Sequence, residues 1–511
     1  MITESLILLA IVYIVNELYW KRKHLPPGPT PLPFIGNLHV LTRHEPGYSA
    51  FKMWRKQYGP IYTYWIGSHP FVILSDYKTK KDTYAKGGES YAGKFHFSRV
   101  LTEAFRGGHY GILDPVGPMW RDHRRISLLC SIVIYSARSF CLLILAEVEA
   151  MSRTLHTMKG EEIAIKVCFS NEQNCQNVFD VRIESVINQL LFGYRFEGEI
   201  SKPASFLMFT YPLLRMLPYF KGMWKELMIR RDAFFSFFDR QIVAHQKKID
   251  FKTEEFSDYV EAYLKEKRRR EETATMNRLA TNNCEICALW VICSTICTFN
   301  AICASRVEVQ PDYSLFSLDQ VLVKKKMHRE LDREIGSGRL ITMSDKNNLP
   351  YTCAVINEIQ RLANLLPLNM LRETLSPVQV GKWSLPAHTG VIAQVSDVLY
   401  DDEIFPSPLS FDPNRFIDTQ GKLKKVEDFI PFSMGKRQCL GEGSARMELF
   451  LFIANLSIDL RENFAMIRSL KELVRSDLAQ LLKLPNQGVP HLITCECWWR
   501  GLKRRLAHRL A

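Results

Sequence analysis

The sequence predicts a mainly α-helical protein with a small β part, built as one large domain behind an N-terminal anchoring helix. Three observations carry that expectation. The chain has 511 residues, 47% hydrophobic and 24% charged, which supplies a large core and is too apolar for a disordered protein. Apolar residues recur at helical spacing near 222–248, 257–272, 319–335 and 350–364, with charged outer faces. Strand-like alternation is confined to 59–76 and to short runs around 376–396, so there is no βαβ repeat. Neither an internal repeat nor a long Gly/Ser/Pro linker divides the chain after residue 35.

The first element is the apolar run from Ser5 to Val15, extended by Leu18, Tyr19 and Trp20 with Asn16 and Glu17 intruding. A cleaved signal peptide needs a small-residue cleavage site, and none follows. The pair Tyr19-Trp20 suits a bilayer interface, and by the positive-inside rule Lys21, Arg22 and Lys23 stay in the cytosol. Residues 1–20 therefore read as a signal-anchor helix and 21–34 as a basic, proline-rich hinge. Pro26, Pro27, Gly28 and Pro29 forbid helix continuation there. Residues 35–511 read as the cytosolic domain.

Gly59 to Asp76 alternates and is rich in aromatic and β-branched residues, with a turn from Gly67 to Pro70, which predicts a two-stranded hairpin. The aromatic-rich segment Ser205 to Trp224 reads as the roof of a lipophilic pocket near the bilayer. The thirteen cysteines are an odd number, scattered through apolar runs, and read as reduced thiols. Cys284, Cys287, Cys293 and Cys297 lie close together, but apolar, helix-like residues separate them, so they read as core cysteines rather than a metal knuckle. A net charge of +13 suits an anionic membrane surface or an acidic protein partner. No zinc-finger spacing or basic repeat supports nucleic acid.

One cysteine differs from the rest. In the stretch from Pro431 to Phe450, Phe432, Gly435, Arg437, Cys439 and Gly441 form F-x-x-G-x-R-x-C-x-G. Five fixed positions match by chance on the order of once in ten thousand chains of this length. The pattern resembles the haem-thiolate loop of the cytochrome P450 superfamily, and the chain resembles animal microsomal members from "LPPGP" to about Leu456. That resemblance implies haem b, with Cys439 as the axial ligand to iron. Gly435 permits a tight turn near the porphyrin face, and Arg437 suits an anionic propionate. The positive end of the following helix and the iron together favour a thiolate at Cys439. Gly441 leaves room for that helix beside the ring. A thiolate ligand donates charge to iron and promotes O–O cleavage.

Further residues extend the resemblance. Glu358 and Arg361 stand three apart on one helix face, as an ion pair requires. The same spacing occurs at Glu103/Arg106, Glu266/Arg269, Glu330/Arg333 and Glu472/Arg475, so only the interval to Cys439 singles out the first pair. Arg415 in "FDPNRF" completes the family's Glu-Arg-Arg network, a structural device. Trp120 and Arg124 match the family's W-x-x-x-R helix across the propionates, where an indole N–H and a guanidinium suit carboxylates. Arg372 follows the Glu358 helix where another propionate contact is expected.

The implied activity is insertion of one oxygen atom of O2 into a lipophilic substrate, with electrons from NADPH through cytochrome P450 reductase. The implied location is the endoplasmic reticulum membrane, with the catalytic domain, residues 35–511, facing the cytosol. Three departures stand against it. The A/G-G-x-D/E-T motif of the family's central helix is missing near "CALWVICSTICTFN", where Thr295 and Thr298 are the candidate hydroxyls for proton delivery. Leu128 to Ala146 is more apolar than the family's polar helix, and the tail after Leu456 lacks the usual closing strands. Two alternatives follow: a haem-binding member with impaired or no monooxygenase activity, or a peroxide-using or isomerase-type haem-thiolate enzyme.

Overall fold

The hairpin forms where the alternation placed it. Strand β1 (Ile61–Ile66) runs antiparallel to β2 (His69–Leu74), with Tyr62 opposite Ile73 and Tyr64 opposite Phe71. Helix α1 (Ser49–Tyr58) lays Ala50, Phe51 and Trp54 on this hairpin, spacing that puts all three on one helical face. The Phe51 ring meets Trp54 edge-on at 5.4 Å and Tyr64 at 5.3 Å. Aromatic pairs of this kind add about 0.5–1.5 kcal/mol each beyond the area they bury. The proline hinge docks on the same hairpin, where Thr63 N–H donates to the Pro27 carbonyl at 2.9 Å. A β-carbon at Gly28 would sit 1.8 Å from the Thr63 carbonyl oxygen, so the close approach requires glycine.

The hairpin is half of a larger sheet. Strands β3 (Gly93–Lys94), β4 (Arg372–Glu373) and β7 (Gly390–Ala393) join it in the order β1-β2-β7-β4-β3, with β2 and β7 parallel. A second, two-stranded sheet pairs β5 (Val378–Val380) with β6 (Trp383–Leu385). The short strands expected around 376–396 are therefore real. The pairing of β7 with β2, far earlier in the chain, carries no local signal.

This computed structural model describes residues 20–95, 115–157, 216–272, 318–364 and 367–459, apart from 42, 45–48, 137, 254, 255, 257, 337 and 338, together with residues 12, 16 and 112. Its long helices are α2 (Gly117–Ser136), α3 (Arg138–Thr157), α4 (Pro218–Gln246), α5 (Tyr259–Glu272), α6 (Leu318–Glu334), α7 (Pro350–Ala363) and α8 (Glu442–Asp459). The predicted helical regions thus appear as α4 to α7. The apolar stretch Leu128 to Ala146 crosses from α2 into α3, and α3 packs on α8 with Cys141 Sγ 3.7 Å from Met447 Sδ. Helix α7 buries almost every residue, because the short helix Pro413–Phe416, α6 and α8 all pack around it.

The expected anchor falls outside the described residues except for Val12, Asn16 and Trp20; among the described residues no helix is long and apolar enough to cross a membrane. Residues 205–215, just over half of the predicted pocket roof, and the Cys284–Cys297 group also fall outside. The chain clusters into two compact units, Met1–Asp459 and Leu460–Ala511. All of the second unit lies outside the described residues, so the body expected over 35–511 is described only through Asp459.

Candidate active site

Helix α7 supplies the anchor of the site. The Glu358 and Arg361 side chains are fully buried, and Arg361 donates through Nε to Glu358 Oε2 at 2.7 Å and through a terminal nitrogen to Oε1 at 2.9 Å. Arg361 also reaches the Leu399 carbonyl at 2.8 Å and the Ser410 carbonyl at 3.3 Å. Arg415 Nε reaches Glu358 Oε1 at 3.3 Å, and the Asp412 N–H donates to the same oxygen at 2.9 Å. The remaining Arg415 donors hold carbonyls of Pro406 and Ser407. One carboxylate thus fastens the irregular segment 399–415 to α7. A buried charge is tolerable only when paired and hydrogen-bonded, and here every oxygen and fork is used.

That segment leads into the loop 431–441. Ser433 and Gly435 both take left-handed backbone conformations, at φ 65 and φ 78. A β-carbon at Gly435 would lie 1.9 Å from the Tyr84 carbonyl oxygen. Sequence reasoning gave Gly435 to a close approach to porphyrin; the approach the structure shows is to the Tyr84 backbone, which presses the loop against the segment before β3. The loop closes on itself through the Cys439 N–H, which donates to the Phe432 carbonyl at 3.1 Å.

Cys439 lies three residues before the first residue of α8, and the Gly441 N–H points at its sulfur. Gly441 was expected to make room for the helix; in the structure its carbonyl accepts the first bonds of α8, from Ala445 N–H and Ser444 Oγ, both at 3.0 Å. Burial pushes the Cys439 thiol up to about 11 despite that N–H. The sulfur is therefore a protonated thiol at neutral pH unless a metal ion displaces the proton.

Around the loop stand three guanidiniums. Arg437 sends its three nitrogens to the carbonyls of Ala92 (2.8 Å), Ile112 (3.2 Å) and Pro115 (2.5 Å), and lies 3.9 Å over the Trp120 ring. Arg124, one turn along α2 from Trp120, donates to the Gln438 carbonyl at 2.8 Å. Arg372, on β4, stacks 3.9 Å over the Tyr84 ring and reaches Ser433 Oγ and the Met434 carbonyl, both at 3.2 Å. Burial lowers all three pKa values; for Arg437 burial, then Arg372 and Arg124, bring it down to about 9. Trp120 Nε1 and Arg372 Nε are buried polar atoms with no hydrogen-bond partner. Clustered cations, held down by burial and mutual repulsion beside orphaned N–H donors, are the negative image of a buried anion.

The family model described as Cytochrome P450 matches residues 26–288 and 318–458. The chain belongs to the cytochrome P450 family. It is 30% identical over 461 residues to cytochrome P450 2C4 of Oryctolagus cuniculus, covering 86% of this chain and 88% of that protein. Cytochrome P450 2C11 of Rattus norvegicus is 30% identical over 450 residues, with 85% of each chain covered. Cytochrome P450 2S1 of Homo sapiens is 30% identical over 459 residues, again with 85% of each covered. The chain is thus a cytochrome P450 monooxygenase, an enzyme of haem with iron and a cysteine thiolate axial ligand.

The structure fits that cofactor. In this P450 the donor set around the loop is one thiol facing helix α8, one buried and two half-buried guanidiniums and an orphaned indole N–H, which suits a metal bound through sulfur in a ring carrying acid groups. Among the described residues, Trp120, Arg124, Arg372, Phe432, Gly435, Arg437, Cys439 and Gly441 come together around one loop, and Glu358, Arg361 and Arg415 lie behind it. Thr295 and Thr298 lie outside the described residues, and the family match is broken over 289–317, the stretch that holds both.

Sequence reasoning missed four participants. Tyr84 backs the loop through its carbonyl and its ring, and Ser433 holds both Asn369 and Arg372. Glu442 takes the Gln438 amide at 2.6 Å on one oxygen and Arg446 Nε at 2.9 Å on the other. Only the Glu442/Arg446 pair left a sequence trace, an i, i+4 charge spacing. Beside the loop opens a cleft of about 520 Å³ with Phe429, Pro431 and Met434 in its lining and Lys81, Lys424, Lys425 and Arg446 among its charges.

Proposed function

We propose that this P450 binds haem b through Cys439 and oxidises a lipophilic small molecule, drawing electrons from NADPH through cytochrome P450 reductase. It does so on the endoplasmic reticulum membrane, with the catalytic domain in the cytosol. The observation that supports it most is the cationic cluster of Arg124, Arg372 and Arg437 around the orphaned Trp120 N–H, one loop away from the only cysteine in an F-x-x-G-x-R-x-C-x-G setting. Haem held by a cysteine thiolate supplies reductive activation of O2 and insertion of one oxygen atom.

This chain's own residues do the rest. Trp120, Arg124 and Arg372 would offer N–H donors to the acid groups of the ring, while Arg437 fixes the loop to the segment 92–115 and adds charge. The Gly441 N–H and the start of α8 favour sulfur as thiolate. The Glu358 network keeps the backbone behind the loop from shifting. The cleft beside the loop carries Lys81, Lys424, Lys425 and Arg446 against Glu427 and Glu442, a net basic lining that suits an acidic flavoprotein and fits electron supply from that side. The apolar N-terminal run and Lys21, Arg22 and Lys23 support the membrane placement, as does similarity to relatives of this family.

One specific observation favours a second reading, haem binding with poor monooxygenation. The family match is interrupted at 289–317, where a neighbouring acid and threonine are missing from the sequence and only hydroxyls such as Thr295 and Thr298 remain. Without an acid beside the hydroxyl, protons reach the distal side of the ring slowly. The deciding experiment measures the reduced, carbon monoxide-bound spectrum of the full chain. The band diagnostic of thiolate ligation is expected, and Cys439→Ser is expected to abolish it. Retention of the band in Cys439→Ser overturns the assignment. Product formed per NADPH consumed, with reductase and a lipophilic substrate, then separates the two readings.

A further inference from the structure

The carboxylate of Glu442 stands in the first turn of α8, the helix whose start faces the Cys439 sulfur. Both its oxygens are used: Oε2 accepts from the Gln438 amide at 2.6 Å and Oε1 from Arg446 Nε at 2.9 Å. Gln438 immediately precedes Cys439, and its backbone is held at both ends. Its carbonyl accepts from Arg124 at 2.8 Å, and its N–H donates to the Gly435 carbonyl at 2.9 Å. Arg446 in turn stacks over the Phe432 and Phe429 rings, at 5.1 and 5.7 Å, so its charge has a fixed place beside the loop. The Glu442 and Arg446 side chains are only 25% and 33% exposed, so the pair stands partly shielded from water beside the loop that carries Cys439.

We propose that Glu442 and Arg446 form a proximal charge pair that sets the electron affinity of the iron held by Cys439, with Glu442 lowering the reduction potential and Arg446 raising it. The inference rests on the reading of Cys439 as the ligand. Reduction adds one negative charge at the metal, so a nearby carboxylate opposes it and a nearby guanidinium favours it. Glu442 also holds the Gln438 side chain, which makes it a positioning residue as well as a charge.

The test uses the full-length, haem-loaded protein in detergent and equilibrium redox titration with mediator dyes, which requires no reductase. The carbon monoxide spectrum of each protein first establishes thiolate ligation, and its absence from the unsubstituted protein would sink the reading of Cys439 together with this inference. Glu442→Gln is expected to raise the ferric-to-ferrous equilibrium constant on the order of tenfold, which is about 59 mV for a one-electron couple. Arg446→Gln is expected to lower it by a similar factor, and the double variant to return close to the parent. Glu442→Asp, which keeps the charge, is expected to stay near the parent. A merely structural role gives shifts of the same sign, because a loosened loop lets in water in both variants. Shifts of equal sign, potentials that do not move, or Glu442→Asp behaving like Glu442→Gln each overturn the proposal. If Glu442→Gln loses the thiolate band, Arg446→Gln and Glu442→Asp decide alone by the same criteria.

Discussion

Two ion pairs in this protein share sequence spacing and geometry, and they are expected to differ sharply in worth. Glu358/Arg361 and Glu266/Arg269 are both i, i+3 pairs, and in both the arginine Nε lies 2.7 Å from Oε2. In the first pair both side chains are fully buried; in the second the arginine side chain is 67% exposed. Glu358→Gln keeps the shape and removes the charge, which leaves the Arg361 guanidinium enclosed and Arg415 with its carboxylate gone. Breaking a buried pair on one side costs about 3–5 kcal/mol, because an uncompensated charge remains in a medium that solvates it poorly. With a urea slope of about 3 kcal/mol per molar or more for a chain of this size, the unfolding midpoint should fall by on the order of 1 M. Glu266→Gln should leave the midpoint within error, since water takes over the solvation of Arg269. The assay is urea unfolding of the haem-loaded protein followed by far-ultraviolet circular dichroism, with the Soret band read in parallel. Comparable midpoints for the two variants would refute the claim that burial, and not the pair itself, makes the network.

Gly435→Ala should impair haem retention, because alanine disfavours φ 78 by about 1–2 kcal/mol and its methyl meets the Tyr84 carbonyl at 1.9 Å; the haem-to-protein ratio after purification checks this. Asn455 begins an N-x-S sequon, yet its side chain is buried and bonds both backbone groups of Ile341. The protein is therefore expected to carry no glycan there by mass spectrometry, and Asn455→Ala should lose about 1–3 kcal/mol of stability to chemical denaturation. The Arg339 guanidinium beside Asp345 holds its carboxyl down at about 2, with burial opposing. That folded pKa is depressed, so the stabilisation is present above the ordinary value of 3.8 and fades as pH falls toward 2. Asp345→Asn should accordingly unfold at lower urea than the parent at pH 7, with the gap closing between pH 4 and pH 2. Replacing residues 292–297 by Ala-Gly-x-Glu-Thr-Thr should raise product per NADPH while leaving the carbon monoxide band in place. Equal coupling before and after the replacement would count against a proton-delivery defect.

By itself the sequence determined the periodic and the rare. Helical spacing located α4 to α7, alternation located the β1–β2 hairpin, and one improbable run of five positions pointed to Cys439, because each of these is written within a few turns of chain. It also marked 292–297 as the place where the family's acid and threonine are missing, which the broken family match over 289–317 parallels. Tertiary structure decided which of several equivalent local signals matter. The spacing of Glu358 and Arg361 is no different from that of Glu266 and Arg269 until three packed elements remove the first pair from water. It decided that β2 pairs with β7 and that Tyr84 presses on Gly435, contacts between segments hundreds of residues apart that no local pattern encodes. It also gathered Trp120, Arg124, Arg372 and Arg437 from three chain segments into one charged shell around the loop. Burial depends on what lies across the core, and electrostatic strength follows burial, so the worth of a charge is set by its distant neighbours.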